Sequence, residues 1–441
     1  MTNREEKKSE TVTSVVCPFC GCLCDDLDVI IKENKIVNVK NACIFSLAKY
    51  LNYWRERIYS PLVRKNGELV ETSLEEAIQK AAELLVNATY PISYGWSSTN
   101  CEAQRVGIEL AEELGGVIDN TSTVCHGPTI EAFHEVGHPS CTLGQIKNRA
   151  DLIVYWGCNP LQSHLRHMSR YTIGAKGRFR KTRDDRVLIV VDVRKTYTAR
   201  VADYFLQVEP NKDYELLSAL RMAINENEIE QDVVAGISAE DIEEVADIMI
   251  NCEFGVLFYG LGLTMSRGKN HNIDAAISLV RDLNARTKFV MMPMRGHFNV
   301  AGADTVSLWQ TGYPFAVDFS YGYPRYNPGV TSVIEILSRG ESDAALIVSS
   351  DPANNFPKEA VETLKSNPLI VIDPHETATT KIADVVIPSA IVGVECGGTA
   401  YRMDDVPLPL KRVADPPPNC LPDEEILRRI LEHVKKLKET R

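Results

Sequence analysis

The chain has 441 residues, 44% hydrophobic and 24% charged, with twelve cysteines and a formal net charge of −12. This composition excludes a disordered chain and supplies apolar material for roughly two or three packed domains. The acidic balance, without a basic run or basic aromatic motif, disfavours a nucleic-acid partner. No apolar run approaches the roughly eighteen residues of a membrane span, and MTNREEKKSE lacks the basic-then-apolar pattern of a secretion signal. A cytoplasmic protein is expected, with cysteines kept reduced as ligands or core residues rather than as disulfides.

The first feature along the chain is VVCPFCGCLCDD, in which Cys17, Cys20 and Cys24 form Cys-x2-Cys-x3-Cys and Cys43 follows as a fourth thiol. Pro18 and Gly21 favour the tight turns that let three thiolates converge on one 4Fe-4S cluster, with Cys43 closing the site from a separate loop. A zinc ribbon is the alternative, but it normally has two Cys-x2-Cys knuckles, and here the second half offers Cys43 alone. Cys22 falls off the spacing and reads as a bystander.

Beyond the cysteines, apolar strands alternate with amphipathic helices, as in stacked βαβ units with mainly parallel sheets. Ser73 caps a helix with Glu76 at the capping-box position and a buried stripe of Leu74, Ala77, Ile78, Ala81 and Leu85. Gly115 and Gly116 stop the next helix. Strands are expected at 90–96, 151–157, 186–193, 254–260, 288–293, 344–350 and 368–373. Several end in polar or glycine turns, the usual ligand-binding edge of an open α/β sheet. The Gly-, Pro- and aromatic-rich stretch 295–330 reads as an ordered functional loop, and 423–438 as an amphipathic helix packed on the preceding domain. No internal repeat or low-complexity tract is evident.

Two turns nevertheless share a grammar. VDVRKTYTARVADYFLQV and IDPHETATTKIADVVIPS both run strand, Asp, Thr-containing turn, Ala-Asp and a second strand. Asp at a strand end can accept hydrogen bonds from a hydroxyl or guanine-like group, while Thr hydroxyls and helix N-terminal N–H groups suit phosphates. Either turn alone could be only a capped helix start. HEVGH (His134, Glu135, His138) spells the zincin pattern, but Gly137 and Pro139 shorten any helix that would present both histidines. His164 and His167 read as surface or ligand-side polar groups.

The cysteine segment followed by the paired Asp–Thr–Ala-Asp turns resembles the molybdopterin oxidoreductase family over nearly the whole chain. VVCPFCGCLCDD, STVCHGP (122–128) and PMRGHFNVAG (293–302) resemble more narrowly its formylmethanofuran dehydrogenase branch, in the B-type polypeptide. The resemblance implies an α/β fold: a small iron–sulfur domain (1–60), a discontinuous pterin-binding domain (61–140 and 326–441) and a second one (141–325). It also implies that the C-terminal β-barrel of formate dehydrogenases is missing and lies on a separate polypeptide. Tungsten or molybdenum would be held by two molybdopterin guanine dinucleotides and Cys125, in a turn expected to follow an extended NTSTV stretch. His126 and Arg295 would serve proton transfer and carboxylate binding. Gly157, Asn159, Asp192, Arg194, Thr196, Asp213, Asp373, Thr377 and Thr379 would contact the dinucleotides.

The implied activity is reduction of carbon dioxide to formate with electrons from the 4Fe-4S cluster. The implied partners are an amidohydrolase zinc subunit that formylates methanofuran, the barrel-bearing polypeptide and ferredoxin-like electron-supply subunits. Phe45 stands where formate dehydrogenases often carry a Lys, so the group relaying electrons from cluster to pterin stays open. Two alternatives remain: a formate dehydrogenase-like enzyme with a split barrel, and a non-catalytic iron–sulfur scaffold.

Overall fold

The structure is a computed structural model that describes residues 9–440. The chain forms two compact units, one made of the segments up to Thr123, His297–Arg402 and Pro407 onward, the other of Val124–Gly296 and Met403–Val406.

The first unit is built on a sheet with five parallel strands at its centre, in the order Val117–Asn120, Pro91–Gly95, Ala344–Val348, Leu369–Ile372, Val385–Ile387. Short antiparallel strands flank both edges. Successive residues of Ala344–Val348 face opposite cores. Leu346 and Val348 join the helices Leu74–Asn87, Cys101–Leu114 and Asp423–Glu439, and Ala345 and Ile347 join Val333–Ser338 and Lys358–Ser366. A sheet covered on both faces needs continuously apolar strands, which is why these segments read so clearly. Near the N-terminus, Glu10–Val15, Leu27–Lys32 and Lys35–Lys40 make a three-stranded antiparallel sheet that flanks the cysteine loop.

The second unit holds a five-stranded, all-parallel sheet in the order Tyr204–Gln207, Val187–Asp192, Leu152–Trp156, Phe254–Tyr259, Lys288–Pro293. Its direction of winding reverses between Leu152–Trp156 and Phe254–Tyr259, and in the first unit between Pro91–Gly95 and Ala344–Val348. Such reversals open a crevice at the carboxyl ends of the strands. The two parallel sheets follow the same spatial path, entered at different points: the first unit starts with the two-strand arm, the second with the three-strand arm. This permutation conceals the kinship from a linear search for repeats.

All seven expected strands form, as do the second strands of the paired turns at Tyr204–Gln207 and Val385–Ile387. Ser73 accepts a hydrogen bond from the Glu76 N–H, while the Glu76 carboxylate turns to Thr72 and Lys65, so the capping box is only half made. Gly115 ends its helix in the left-handed region. Two expectations differ. The stretch 295–330 contains the helix Val300–Thr311, whose Val300, Ala303, Asp304, Val306 and Ser307 are buried; burial around much of its circumference blurred the helical period. The residues before Cys125 are not extended: Thr121–Val124 close a 3-10 turn, with Asn120 Oδ1 accepting the Ser122 N–H at 2.7 Å. Among the described residues no β-barrel closes, and no helix is long and apolar enough to cross a membrane.

Candidate functional site

The nominated residues divide between the units. Cys17, Cys20, Cys24, Cys43, Asp373, Thr377 and Thr379 lie in the first; Cys125, His126, Gly157, Asn159, Asp192, Arg194, Thr196, Asp213 and Arg295 lie in the second.

In the cysteine loop, the Cys17 N–H donates to the Cys24 carbonyl at 2.9 Å and the Leu23 N–H to the Cys20 carbonyl at 3.1 Å, folding the loop back on itself. Burial pushes the Cys17 thiol far up, and the neighbouring Cys20 and Cys24 add to the shift. Cys43 caps the helix Ile44–Leu51, its Sγ accepting from the Ser46 N–H at 3.4 Å. The Ser46 hydroxyl in turn meets Cys17 Sγ at 3.2 Å, so one serine joins the two halves of the Cys set. Cys17, strongly disfavoured as a bare thiolate, with Cys20 and Cys24 close enough to perturb it and Cys43 joined to it through Ser46, fits a group that supplies its own positive charge. Among the described residues no three His, Cys, Asp or Glu side chains gather as a single ion requires. A cluster is less demanding, because each cysteine binds a different iron.

The paired turns are alike in atomic detail. In the second unit, Thr198 donates to Asn159 Oδ1 through its hydroxyl (2.6 Å) and its N–H (3.3 Å). In the first, Thr379 does the same to Asp351 Oδ1 (2.6 and 2.8 Å). Asn159 and Asp351 each precede a proline that opens a four-residue helix, Pro160–Ser163 or Pro352–Asn355. Two residues earlier, Gly157 and Ser349 share left-handed φ values of +57° and +50°. The Asp of each Ala-Asp pair anchors the start of the neighbouring strand, Asp203 accepting from the Leu188 N–H and Asp384 from the Leu369 N–H. Asp192 and Asp373 end their strands, each bonded to an N–H two residues on, from Arg194 at 3.3 Å and His375 at 2.8 Å. Burial raises the Asp373 carboxyl to about 7 and pushes Asp192 up as well. An acid held this way is completed by hydrogen-bond donors.

Several nominated side chains are engaged within the turns. Asn159 and Thr379 form these latches. Thr377 caps Ala378–Ile382, and Thr196 accepts the Ala199 N–H at 3.1 Å. Asp213 accepts from the Trp156 indole at 2.8 Å. Gly157 is required where it stands, since a Cβ there would lie 2.7 Å from the Gly262 backbone.

Cys125 and His126 sit where the 3-10 turn meets the helix Gly127–Val136, with His126 as N-cap and Pro128 in the first turn. Cys125 is half-buried; its carbonyl accepts from the buried Thr264 hydroxyl at 2.9 Å. A helix N-terminus favours a thiolate beside it. The His126 ring is buried, with Nδ1 3.1 Å from the Thr129 hydroxyl. Burial, reinforced by the charge of Arg295, lowers it to about 3, so it is neutral. Nδ1 pairs with Thr129, while Nε2 makes no well-aligned hydrogen bond among the described residues and the Met294 backbone lies close enough to oppose part of the downward shift. Arg295 is 6% exposed, close enough to perturb both His126 and the buried Tyr259.

HEVGH does not form a zincin site. The helix stops at Val136, Gly137 turns with φ +86°, and His138 folds back to stack on Phe133 at 3.9 Å and to meet the Met291 carbonyl. His164 and His167 are not surface groups: they are 2% and 0% exposed. His164 Nε2 meets the Arg295 carbonyl at 2.9 Å, and His167 Nδ1 meets the Tyr155 hydroxyl at 2.9 Å. Thr264, Thr129 and Tyr259 went unnoticed in the sequence, because lone hydroxyl residues carry no spacing signal.

The chain matches the molybdopterin oxidoreductase family over residues 57–433. It is 52% identical to the B-type polypeptide of the tungsten-containing formylmethanofuran dehydrogenase 2 of Methanocaldococcus jannaschii, across 97% of this chain and 99% of that one. Among solved structures it resembles acetylene hydratase from Pelobacter acetylenicus, with a TM-score of 0.72 and 15% identity over 96% of this chain and 69% of that one. It also resembles a chain of the formyltransferase/hydrolase complex of Methylorubrum extorquens in complex with methylofuran, with a TM-score of 0.70 and 22% identity over 86% and 100%. At such identities the two structures speak for the fold alone.

Proposed function

The chain belongs to the molybdopterin oxidoreductase family, as the B-type polypeptide of a formylmethanofuran dehydrogenase, and we propose that Cys125, His126 and Arg295 form the centre at which carbon dioxide is reduced to formate. The observation that carries this reading is the gathering, in the second unit, of a thiol at a helix N-terminus, a neutral buried imidazole and a buried guanidinium close enough to perturb it.

Cys125 would ligate tungsten or molybdenum together with two molybdopterin guanine dinucleotides. When bound, that group supplies the two-electron redox chemistry. The chain's own residues bind, orient and handle the proton. Thr264 holds the Cys125 backbone. Arg295 offers a carboxylate partner in a site where burial strengthens the attraction. His126 Nε2 exchanges the proton that balances carbon dioxide, two electrons and one proton against formate. Each strand-end turn would hold a dinucleotide, with Asp192 and Asp373 facing guanine-type donors and the latches of Thr198 and Thr379 keeping the turns in shape. Cys17, Cys20, Cys24 and Cys43 would hold one 4Fe-4S cluster that delivers the electrons. The partners would be an amidohydrolase zinc subunit, a barrel-bearing pterin polypeptide and ferredoxin-like electron suppliers, working in the cytoplasm.

The test uses the complex purified anaerobically. Cys125→Ser is expected to lose the heavy metal and at least about a hundred-fold of viologen-linked formate oxidation, a loss typical of removing a group on which the chemistry depends. Unchanged metal content and activity would remove Cys125 from the centre.

A further inference from the structure

His164 carries no motif in the sequence, yet the structure gives it two well-made bonds. Nε2 lies 2.9 Å from the Arg295 carbonyl, and Nδ1 lies 2.7 Å from the Ser163 hydroxyl. A carbonyl oxygen only accepts, so Nε2 carries a hydrogen whatever the charge of the ring. The ring therefore ties the turn after Leu152–Trp156 to the second residue after Lys288–Pro293, two segments that lie on either side of the strand Phe254–Tyr259.

The first unit supplies an internal control. Its corresponding turn runs Asp351, Pro352 and on to Phe356, which occupies the place of His164. Both close their four-residue helix with the same bond, from the His164 N–H to the Pro160 carbonyl at 2.9 Å and from the Phe356 N–H to the Pro352 carbonyl at 2.8 Å. Phe356 packs edge-on against Tyr94 at 4.8 Å between ring centres. The turn itself is thus satisfied by an aromatic hydrocarbon, and the Nε2 of His164, bonded outside the turn, answers to something other than the turn's own fold.

We propose that His164 is a positioning residue: its Nε2–H fixes the Arg295 backbone and thereby aims the Arg295 guanidinium at the carboxylate of formate. The inference rests on the proposed role of Arg295. The geometry fits that purpose because the anchor acts on the backbone of the very residue whose side chain must be placed. Misplacing a binding group by about 1 Å costs up to about a hundred-fold in rate.

The experiment compares His164→Phe, the first unit's own solution, with His164→Gln, whose amide N–H reaches about as far as Nε2–H. Both are measured in the anaerobic complex by viologen-linked formate oxidation, beside Arg295→Ala and the double variant His164→Phe/Arg295→Ala, with metal content as a check on assembly. The expected result is a fall of about ten- to a hundred-fold in kcat/KM for H164F, carried mainly by the KM for formate. H164Q should stay within about three-fold of the parent, and the double variant should be no worse than R295A alone. If H164F does not assemble with metal, His164→Asn, whose shorter amide falls short of the carbonyl, takes its place. An unimpaired H164F beside an impaired R295A overturns the inference, as do equal losses in H164F and H164Q or fully additive losses. An unimpaired R295A overturns the reading beneath it, and the inference with it.

Discussion

The two strand-end turns are the same device made with different charge. In the second unit the latch joins Thr198 to the neutral Asn159; in the first it joins Thr379 to the carboxylate of Asp351. The residue in the left-handed position is Gly157 in one and Ser349 in the other. The first unit also buries Asp373 and Asp423, while the nearby Arg57 is paired with the buried Glu395, whereas Asp192 faces the exposed Arg194. Shared hydrogen-bond geometry at positions with different side chains shows that backbone shape is the common requirement, and that the electrostatics of the two turns are set separately.

Exchanging the left-handed residues should break the likeness most severely. Gly157→Ser places a side chain against the Gly262 backbone, where no flexible atom can give way. A loss above about 4 kcal/mol is expected, the range of gross backbone or packing conflict, readable as failure of the second unit to resist denaturant. A Gly157→Ser chain as stable as the parent would refute the close approach.

A second contrast comes from pH. The Asp373 carboxyl, raised by burial to about 7, keeps its proton longer in the folded chain than in the unfolded one. The stability this confers is present below about pH 4 and is lost as pH rises towards 7, because the unfolded chain then binds fewer protons. A shift of about three pH units corresponds to about 4 kcal/mol at most. Asp119, also buried and raised to about 7, adds a similar share. Asp373→Asn should therefore stabilise the ligand-free first unit at pH 8 and leave it nearly unchanged at pH 4, with the share of Asp119 remaining. Parallel stability–pH curves for parent and variant would show that Asp373 is not the buried acid described.

The latches differ more gently. Removing the hydroxyl with Thr379→Val takes a bond from a carboxylate and should cost about 1.5–3 kcal/mol, against about 1 kcal/mol for Thr198→Val, which takes one from an amide. Equal losses in denaturant titrations would show that the two latches contribute alike whichever side chain accepts the bond. The smallest effect is expected from Ser349→Gly, within about 1 kcal/mol, because relief of the left-handed strain is offset by glycine's greater freedom when unfolded.

Much of this was legible in the sequence. Strands buried on both faces read as uninterrupted apolar runs, and the Asp–Thr–Ala-Asp grammar exposed the paired turns because each residue has a backbone bond to make. The correspondence of Asp351 with Asn159, and of Phe356 with His164, was not legible: the arms of the two sheets come in opposite order along the chain, and the equivalent side chains differ in charge and polarity. The N-terminal strands Glu10–Val15 and Lys35–Lys40 were missed because they are short and largely exposed, with little hydrophobic pattern to follow. His126 and Arg295 entered through family resemblance alone. The neutral state of His126 and the burial of both depend on tertiary packing, which no local spacing encodes.

The most direct test of the centre is the metal content of the native complex, purified anaerobically and resolved by mass spectrometry for Fe, W, Mo and Zn per copy of this chain. Tungsten or molybdenum near one per chain, with iron at four or more, is the expected result. Iron without either heavy metal would leave an electron-transfer scaffold in place of a catalytic subunit, and zinc alone would return the N-terminal cysteines to a ribbon.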